Sequence, residues 1–393
     1  MRKIDLTNFH LATSETARQI NRRIALNFVR RYQPLSRADL ARRSGLQRST
    51  VSAIIDQLID EGWVTEGEVG HAPRGRRPRS LHLNVERAGI LGVELRPETT
   101  TIGLADVEAR FLGQIGFPTA SSPEQFAVDL AEAAVELRRA HPTVLCEGMG
   151  VSLPGRVDDT GRLVFAPNLG WGPVQLTQMI EAAVRLPVNV ENAANACALA
   201  ELWFGRHPEH VRDIVAVTVS EGIGVGLLLN GQLVHGAGSM AGEFGHASLD
   251  EAGPPCRCGR RGCWERYASN SAAVQHYAQT RGGGPEALRI EEVARLADAG
   301  EAAAVATIDR MARHLATGLA SLATGLAPDV IAIVGEVTGF WHRVGPVVDR
   351  IMAARLLPQA ATRVIATDPA AQPRLRGAVT LVVEQHFGAP MVA

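Results

Sequence analysis

A chain of 393 residues, 46% hydrophobic and 21% charged, has the composition of an ordinary soluble globular protein and the length for two or three domains with large cores. Its longest weakly polar stretch, residues 315–327, is too short to span a bilayer, so a membrane partner is not expected. No basic segment followed by an apolar one marks a secretory signal, and five cysteines point to a reducing, cytoplasmic setting. The net charge of −1 hides an asymmetry. Residues 1–85 carry 15 Lys+Arg against 8 Asp+Glu, whereas the remainder carries 25 against 33. A basic head on an acidic body suggests that the head meets a polyanion.

In the head, Ala17, Ile20, Ile24 and Phe28 recur at helical spacing and predict a first helix that ends near Tyr32, before Pro34. Ser36-Arg37-Ala38-Asp39 reads as a capping box opening a short helix to Ser44, with Gly45 as the turn. Residues 47–60 place Val51, Ile54, Ile55 and Leu58 on one face, the stripe of a packed helix. Gln47, Arg48, Ser49, Thr50 and Ser52 remain to reach base edges or phosphates. Two helices joined by a glycine turn form a helix-turn-helix, whose second helix fits the major groove of double-stranded DNA. Gly62 ends that helix, and Trp63-Val64 and Leu81-His82-Leu83 read as two strands of a wing. Between them Arg74, Arg76 and Arg77 sit on an arginine-rich tip suited to phosphates or a narrow minor groove. The competing reading of that tip is a solvated loop.

From residue 88 the pattern changes. Residues 89–95 and 101–105 predict adjacent strands, followed by a helix over 123–140; residues 214–219 and 225–229 predict strands again, with long helices beyond Glu291. Strands alternating with helices imply an α/β domain, coarsely repeated. Cys146 and Cys197 sit among apolar neighbours as core residues. The other three cysteines cluster as His246-x9-Cys256-Arg257-Cys258-Gly259-x2-Gly262-Cys263. Three thiolates and an imidazole complete a tetrahedral Zn²⁺ shell at ~2.0–2.3 Å. Gly259 and Gly262 allow the tight turns this requires. With four protein ligands the zinc is structural and holds no catalytic water. Buried free thiols or a disulfide are the alternatives, and a disulfide leaves one of the three cysteines over. Glu243 and Glu265 flank the cluster, so a metal there pins two carboxylates.

This block resembles the signature of the ROK family of transcriptional repressors and bacterial sugar kinases. Pro154-Gly155, Pro167-Asn168-Leu169, Val190-Glu191-Asn192, Gly222-Ile223-Gly224-x-Gly226 and Gly242-Glu243 are similar to its other blocks, in the family's order. The head resembles the winged helix of the repressor branch. The resemblance implies a winged helix-turn-helix over residues 1–85. Over residues 86–393 it implies a two-lobed actin-like fold (sugar-kinase-like, RNase H-like ATPase class) that binds effector and oligomerises as a homodimer or homotetramer. It also implies a sugar effector held by residues matching Asn168, Asn192, Glu243, His246 and Glu265. Carboxylates and amides suit sugars, whose hydroxyls both donate and accept. The alternatives are turn formation for the two asparagines, and pairing of the two glutamates with Arg257, Arg260 or Arg261.

Three departures separate the chain from the family's kinases. Where those carry Asp-x-Gly-Gly-Thr to cradle phosphates, this chain has Glu94-Leu95-Arg96-Pro97-Glu98-Thr99. Ala193 follows Asn192 where a general base is expected, and Gly335-Glu336 replaces a Gly-Gly pair. The reading is a sugar-responsive transcriptional regulator, a repressor, with a catalytically silent kinase-like body. The runner-up is a sugar kinase with an attached DNA-binding domain.

Overall fold

Four side chains on one face of a single helix, Val51, Ile54, Ile55 and Leu58, organise the start of the chain. The computed structural model describes residues 14–69, 79–85, 88–208, 210–283, 288–357 and 361–388. Helices α1 (Ser14–Tyr32), α2 (Arg37–Ser44) and α3 (Arg48–Asp60) bury that stripe against Leu26, Val29 and Leu40. The capping box is present: the Ser36 hydroxyl accepts from the Asp39 N–H at 3.1 Å and the Asp39 carboxylate from the Ser36 N–H at 3.2 Å. Gly45 then turns the chain into α3 at φ +74°.

Strands β1 (Val64–Val69) and β2 (Arg79–Leu83) pair antiparallel as the wing. Trp63, expected in the first strand, lies just before it. Its N–H instead donates to Leu58 O at 2.8 Å, closing the end of α3 in a Schellman turn with Gly62. Arg74, Arg76 and Arg77 lie outside the described residues.

The body is built twice on one plan. In the first lobe β3 (Ala88–Leu95), β4 (Thr99–Asp106) and β5 (Phe111–Pro118) form an antiparallel meander. Helix α4 (Pro123–Ala140) returns the chain to β6 (Leu145–Leu153), parallel to β3. A small hairpin, β7 (Arg156–Val157) with β8 (Leu163–Phe165), and helix α5 (Leu176–Val184) lead to β9 (Val188–Asn192), parallel to β6. Helix α6 (Ala193–Phe204) crosses into the second lobe. There β10 (Ile214–Val219), β11 (Ile223–Leu229) and β12 (Gln232–Leu233) repeat the meander, and β13 (Val330–Gly335) and β14 (Arg363–Ala366) repeat the parallel pair. Strand orders β5-β4-β3-β6-β9 and β12-β11-β10-β13-β14 are the same, so the coarse repeat in the sequence is a duplicated sheet.

Helices α7 (Glu265–Ala268), α8 (Asn270–Thr280), α9 (Ile290–Asp298), α10 (Ala302–Leu326) and α11 (Trp341–Arg355) contribute to the second lobe's main core, which is centred on Trp264, Tyr277, Leu315 and Val344. The last helix, α12 (Pro373–Phe387), packs on α6, β6 and β3 and ends against the head. Leu26, Trp63 and Leu81 of the head share one apolar cluster with Ile90, Val382 and Phe387. Trp63 lies 4.7 Å from the His386 ring and edge-on to Phe387 at 5.8 Å. Asn27 donates to Phe387 O at 2.6 Å, and Arg30 donates to Trp203 O at 3.0 Å while lying over the Trp203 ring. The head is therefore seated on the ends of α6 and α12. Among the described residues no helix is long and apolar enough to cross a membrane.

Candidate functional site

A cleft opens between the lobes where β9 passes into α6, and Asn168, Asn192, Glu243, His246 and Glu265 all line it. Asn192 ends β9 and caps α6. Its Oδ1 accepts from the Ala194 N–H at 2.8 Å, and its Nδ2 donates to Gly155 O at 2.8 Å. The alternative of turn formation thus holds for this residue as well as its place in the cleft. Asn168 is exposed in the turn after β8 and accepts from Arg257 Nη1, across the cleft, at 3.2 Å. Glu243 and His246 occupy one short turn, and Glu265 opens α7. Among the described contacts, neither glutamate pairs with Arg257, Arg260 or Arg261; both face His246 instead, Glu243 at 3.8 Å from Nε2 and Glu265 at 3.5 Å from Nδ1.

The cysteine block closes on itself beside these carboxylates. One ligand atom from each of His246, Cys256, Cys258 and Cys263 lies within 4.8 Å of every other. Cys258 Sγ is 3.5 Å from Cys263 Sγ, and Cys256 Sγ is 3.6 Å from His246 Nδ1. Zn–S bonds of ~2.3 Å at tetrahedral angles put sulfurs roughly 3.8 Å apart, so the donor set fits such an ion closely. All five cysteines are free thiols, which removes the disulfide alternative. Gly259 and Gly262 take left-handed φ values of +86° and +66°, the turns the sequence called for. The Trp264 indole, 2% exposed, lies in the space that Gly318 leaves on α10 and donates to His314 O at 2.9 Å. That anchor fixes Cys263 on one side and Glu265 on the other. Burial works against the Cys258 thiolate, but hydrogen bonds from Arg260 and the neighbouring thiols lower its pKa to about 6, whereas burial pushes the Cys256 and Cys263 thiols up.

Further charged residues complete the cleft. His235 Nε2 lies 2.8 Å from Glu191 Oε2, and that hydrogen bond holds the imidazole above its usual range. Beyond Glu191, around residues 94–99, charged side chains interlock. Arg96 lies 2.9 Å from Glu336 and 3.3 Å from Glu221, and Arg374 lies 3.6 Å from both Glu94 and Glu336. Burial alone would raise the Glu336 carboxyl, yet Arg374 and Arg96 hold it below the usual carboxylate range. Ala193 presents only a methyl group to the cleft beside Asn192.

At the other end of the molecule, Gln47, Arg48 and Ser49 are exposed at the start of α3, with Thr50 and Ser52 half-buried. Glu66 on the wing pairs with Arg37 at 2.9 Å and Arg79 at 3.1 Å, and Arg37 reaches Asp56 of α3 at 2.7 Å. These pairs brace the wing against the two helices.

The sequence pattern of the ROK family matches residues 90–385. The chain belongs to the ROK family. A second pattern, that of the MarR family, matches residues 20–77. Among ROK relatives, the xylose repressor of Bacillus subtilis (strain 168) is 30% identical over 327 residues, covering 82% of this chain and 84% of its own. A ROK family transcriptional regulator described as a homolog of the E. coli MLC protein superposes with a TM-score of 0.82 at 25% identity, over 94% of this chain and 98% of the other. A ROK glucokinase from Streptomyces griseus, solved with glucose and AMPPNP, gives 0.67 at 28% identity over 75% and 98%. The fold is a winged helix-turn-helix followed by the two-lobed, actin-like sugar-kinase architecture.

Proposed function

We propose that this ROK protein is a sugar-responsive transcriptional repressor of the cytoplasm, acting as a homodimer or homotetramer. Its head, residues 1–85, binds operator DNA, and its body, residues 86–393, binds the effector without phosphorylating it. The observation that carries the reading is the pairing of a braced winged helix with a kinase-like cleft whose phosphate end is filled by Arg96, Arg374, Glu94, Glu221 and Glu336. A triphosphate there meets three carboxylates, Pro97 offers no N–H, and Ala193 cannot take a proton from a sugar hydroxyl. The repressor name of the Bacillus subtilis relative and the regulator match over nearly the whole chain support the same reading.

The residues divide by chemistry. Gln47, Arg48, Ser49, Thr50 and Ser52 on α3 face the major groove, and Arg74, Arg76 and Arg77 engage phosphates or the minor groove. Asn168, Asn192, Glu243 and Glu265 hold sugar hydroxyls, with His246 Nε2 turned toward the cleft while Nδ1 joins Cys256, Cys258 and Cys263 around a structural Zn²⁺. The metal supplies no catalysis; it fixes where Glu243 and Glu265 stand. Helix α12 links the two ends. Arg374 in its first turn belongs to the ion-pair network at the cleft, and about 20 Å along the helix Phe387 packs on Trp63 of the head. Sugar contacts from both lobes change how the lobes close, and α12 carries that change to the head.

Two assays test the proposal. Coupled hexose phosphorylation with Mg-ATP should give no turnover above background. Fluorescence anisotropy with DNA from promoters adjoining the protein's own gene should give specific binding that is lost on deleting residues 1–85. Steady sugar-dependent ATP consumption, or specific DNA binding by the headless body, would overturn it.

A further inference from the structure

The charge of the cleft says which kind of sugar can enter it. Three carboxylates, from Glu94, Glu221 and Glu336, surround two guanidinium groups: Arg96 pairs closely with Glu336 and Glu221, whereas Arg374 stands 3.6 Å from Glu94 and Glu336 with its Nη2 making no hydrogen bond. Arg374 and Glu336 are only 11% and 15% exposed, so these pairs are poorly screened. The third arginine of the cleft, Arg156, donates to the Met240 sulfur and, among the described contacts, pairs with no carboxylate, so the five glutamates that line the cleft still outnumber its three arginines. Toward the hydroxyl-binding cluster the cleft gains Glu191, Glu243 and Glu265. Of the two histidines there, His235 is bound to Glu191 and His246 turns Nδ1 to Cys256. The two regions adjoin, because Gly222, next to Glu221, lies against the Glu265 carboxylate.

We propose that the cleft takes an uncharged, unphosphorylated saccharide and excludes the phosphate ester of the same sugar. The inference rests on the sugar-responsive reading above and adds the effector's charge class. A phosphate monoester brings a charge of about −1.5 to −2 at pH 7 and acceptor oxygens only. Beside Arg96 and Arg374 it stands against Glu94, Glu221 and Glu336 as well, three anions to two cations, two of them largely buried. A neutral hydroxyl donates to those carboxylates and disturbs no ion pair. The same charge disfavours a nucleotide.

The test uses the full-length protein in low-salt buffer without divalent ions. Glucose, mannose, N-acetylglucosamine and fructose are each compared with their 6-phosphates by thermal shift and calorimetry, with xylose as a further neutral probe. At least one neutral sugar should bind, and among the paired sugars the phosphate ester should bind at least 100-fold more weakly than its parent, about 2.7 kcal/mol. Glu221→Gln, at a half-exposed position, should narrow that gap by freeing Arg96. A 6-phosphate that binds as tightly as its parent overturns the proposal, whatever the variant does. A gap indifferent to Glu221→Gln removes the charge network as its cause. If neither neutral nor phosphorylated sugars bind, the sugar-responsive reading itself fails.

Discussion

Replacing Arg374 with Met tests whether the ion-pair network holds the two lobes together. Methionine keeps much of the apolar stem and removes the charge. Arg374 lies 3.6 Å from Glu94 and 3.6 Å from Glu336, which are 19% and 15% exposed. At an effective dielectric of ~20 each pair is worth roughly 4–5 kcal/mol of gross attraction, most of it offset by the desolvation of the partners. Removing one partner of a buried pair typically costs ~3–5 kcal/mol. The low end, about 3 kcal/mol, is expected because Arg96 still neutralises Glu336 at 2.9 Å. At about 1.2 °C per kcal/mol for a chain of this length, that lowers Tm by about 3–4 °C. The pH dependence follows from the depressed Glu336 carboxyl. A carboxylate held below its unfolded value adds stability above about pH 4.3, lost as pH falls through the folded value. In Arg374→Met only Arg96 still holds the same group down, so it takes up a proton at higher pH than in the wild type. The stability gap between wild type and variant must therefore narrow on acidification. Urea unfolding followed by circular dichroism from pH 7.5 to 4 measures it. A gap under 1 kcal/mol at pH 7.5, or parallel pH curves, refutes the reasoning.

Purified protein should hold about one zinc per chain by elemental analysis, and Cys258→Ala should lower both zinc content and sugar affinity; thiols that oxidise with no stoichiometric zinc contradict the metal assignment. Arg48→Ala should lose ~1–3 kcal/mol at one operator position. Arg76→Ala should instead weaken all sequences and lower the salt slope by about one per phosphate contact, and a sequence-specific loss there would contradict its role. Trp63→Ala empties the joint between head and α12, costing ~3–5 kcal/mol by unfolding measurements and weakening the sugar's effect on DNA; full coupling in a folded Trp63→Ala protein would exclude that route.

How far the sequence could be read depends on whether a feature is local. The α3 stripe, the Ser36 box and the strand at 214–219 are periodic or capped within a few residues, and each appears where the pattern put it. The cysteine block is likewise local, and its four donors converge. Helix α6 gave no stripe because Ala194 to Ala200 are buried on every side, between β10, β11 and α12. The charge network was illegible for the opposite reason. Its members come from the end of β3, the β10–β11 turn, the end of β13 and the start of α12, so no spacing links them. Glu336 read only as a missing glycine, and Arg374 carried no signal at all. The seating of the head on α12 is a contact of the same long-range kind.

The central claim, that one protein couples a sugar to an operator, is tested most directly by titrating operator DNA with and without the tightest-binding sugar. In the proposed dimer two heads fill half-sites about one helical turn apart, ~34 Å, so a change in head spacing penalises one of two contacts. A 100-fold loss of operator affinity corresponds to ~2.7 kcal/mol of coupling, and by linkage DNA must weaken sugar binding by the same factor. The sugar should move the wild-type DNA isotherm and DNA should move the sugar isotherm equally, with neither shift in Glu243→Ala. A sugar that binds tightly yet leaves the wild-type DNA isotherm unmoved would contradict that claim.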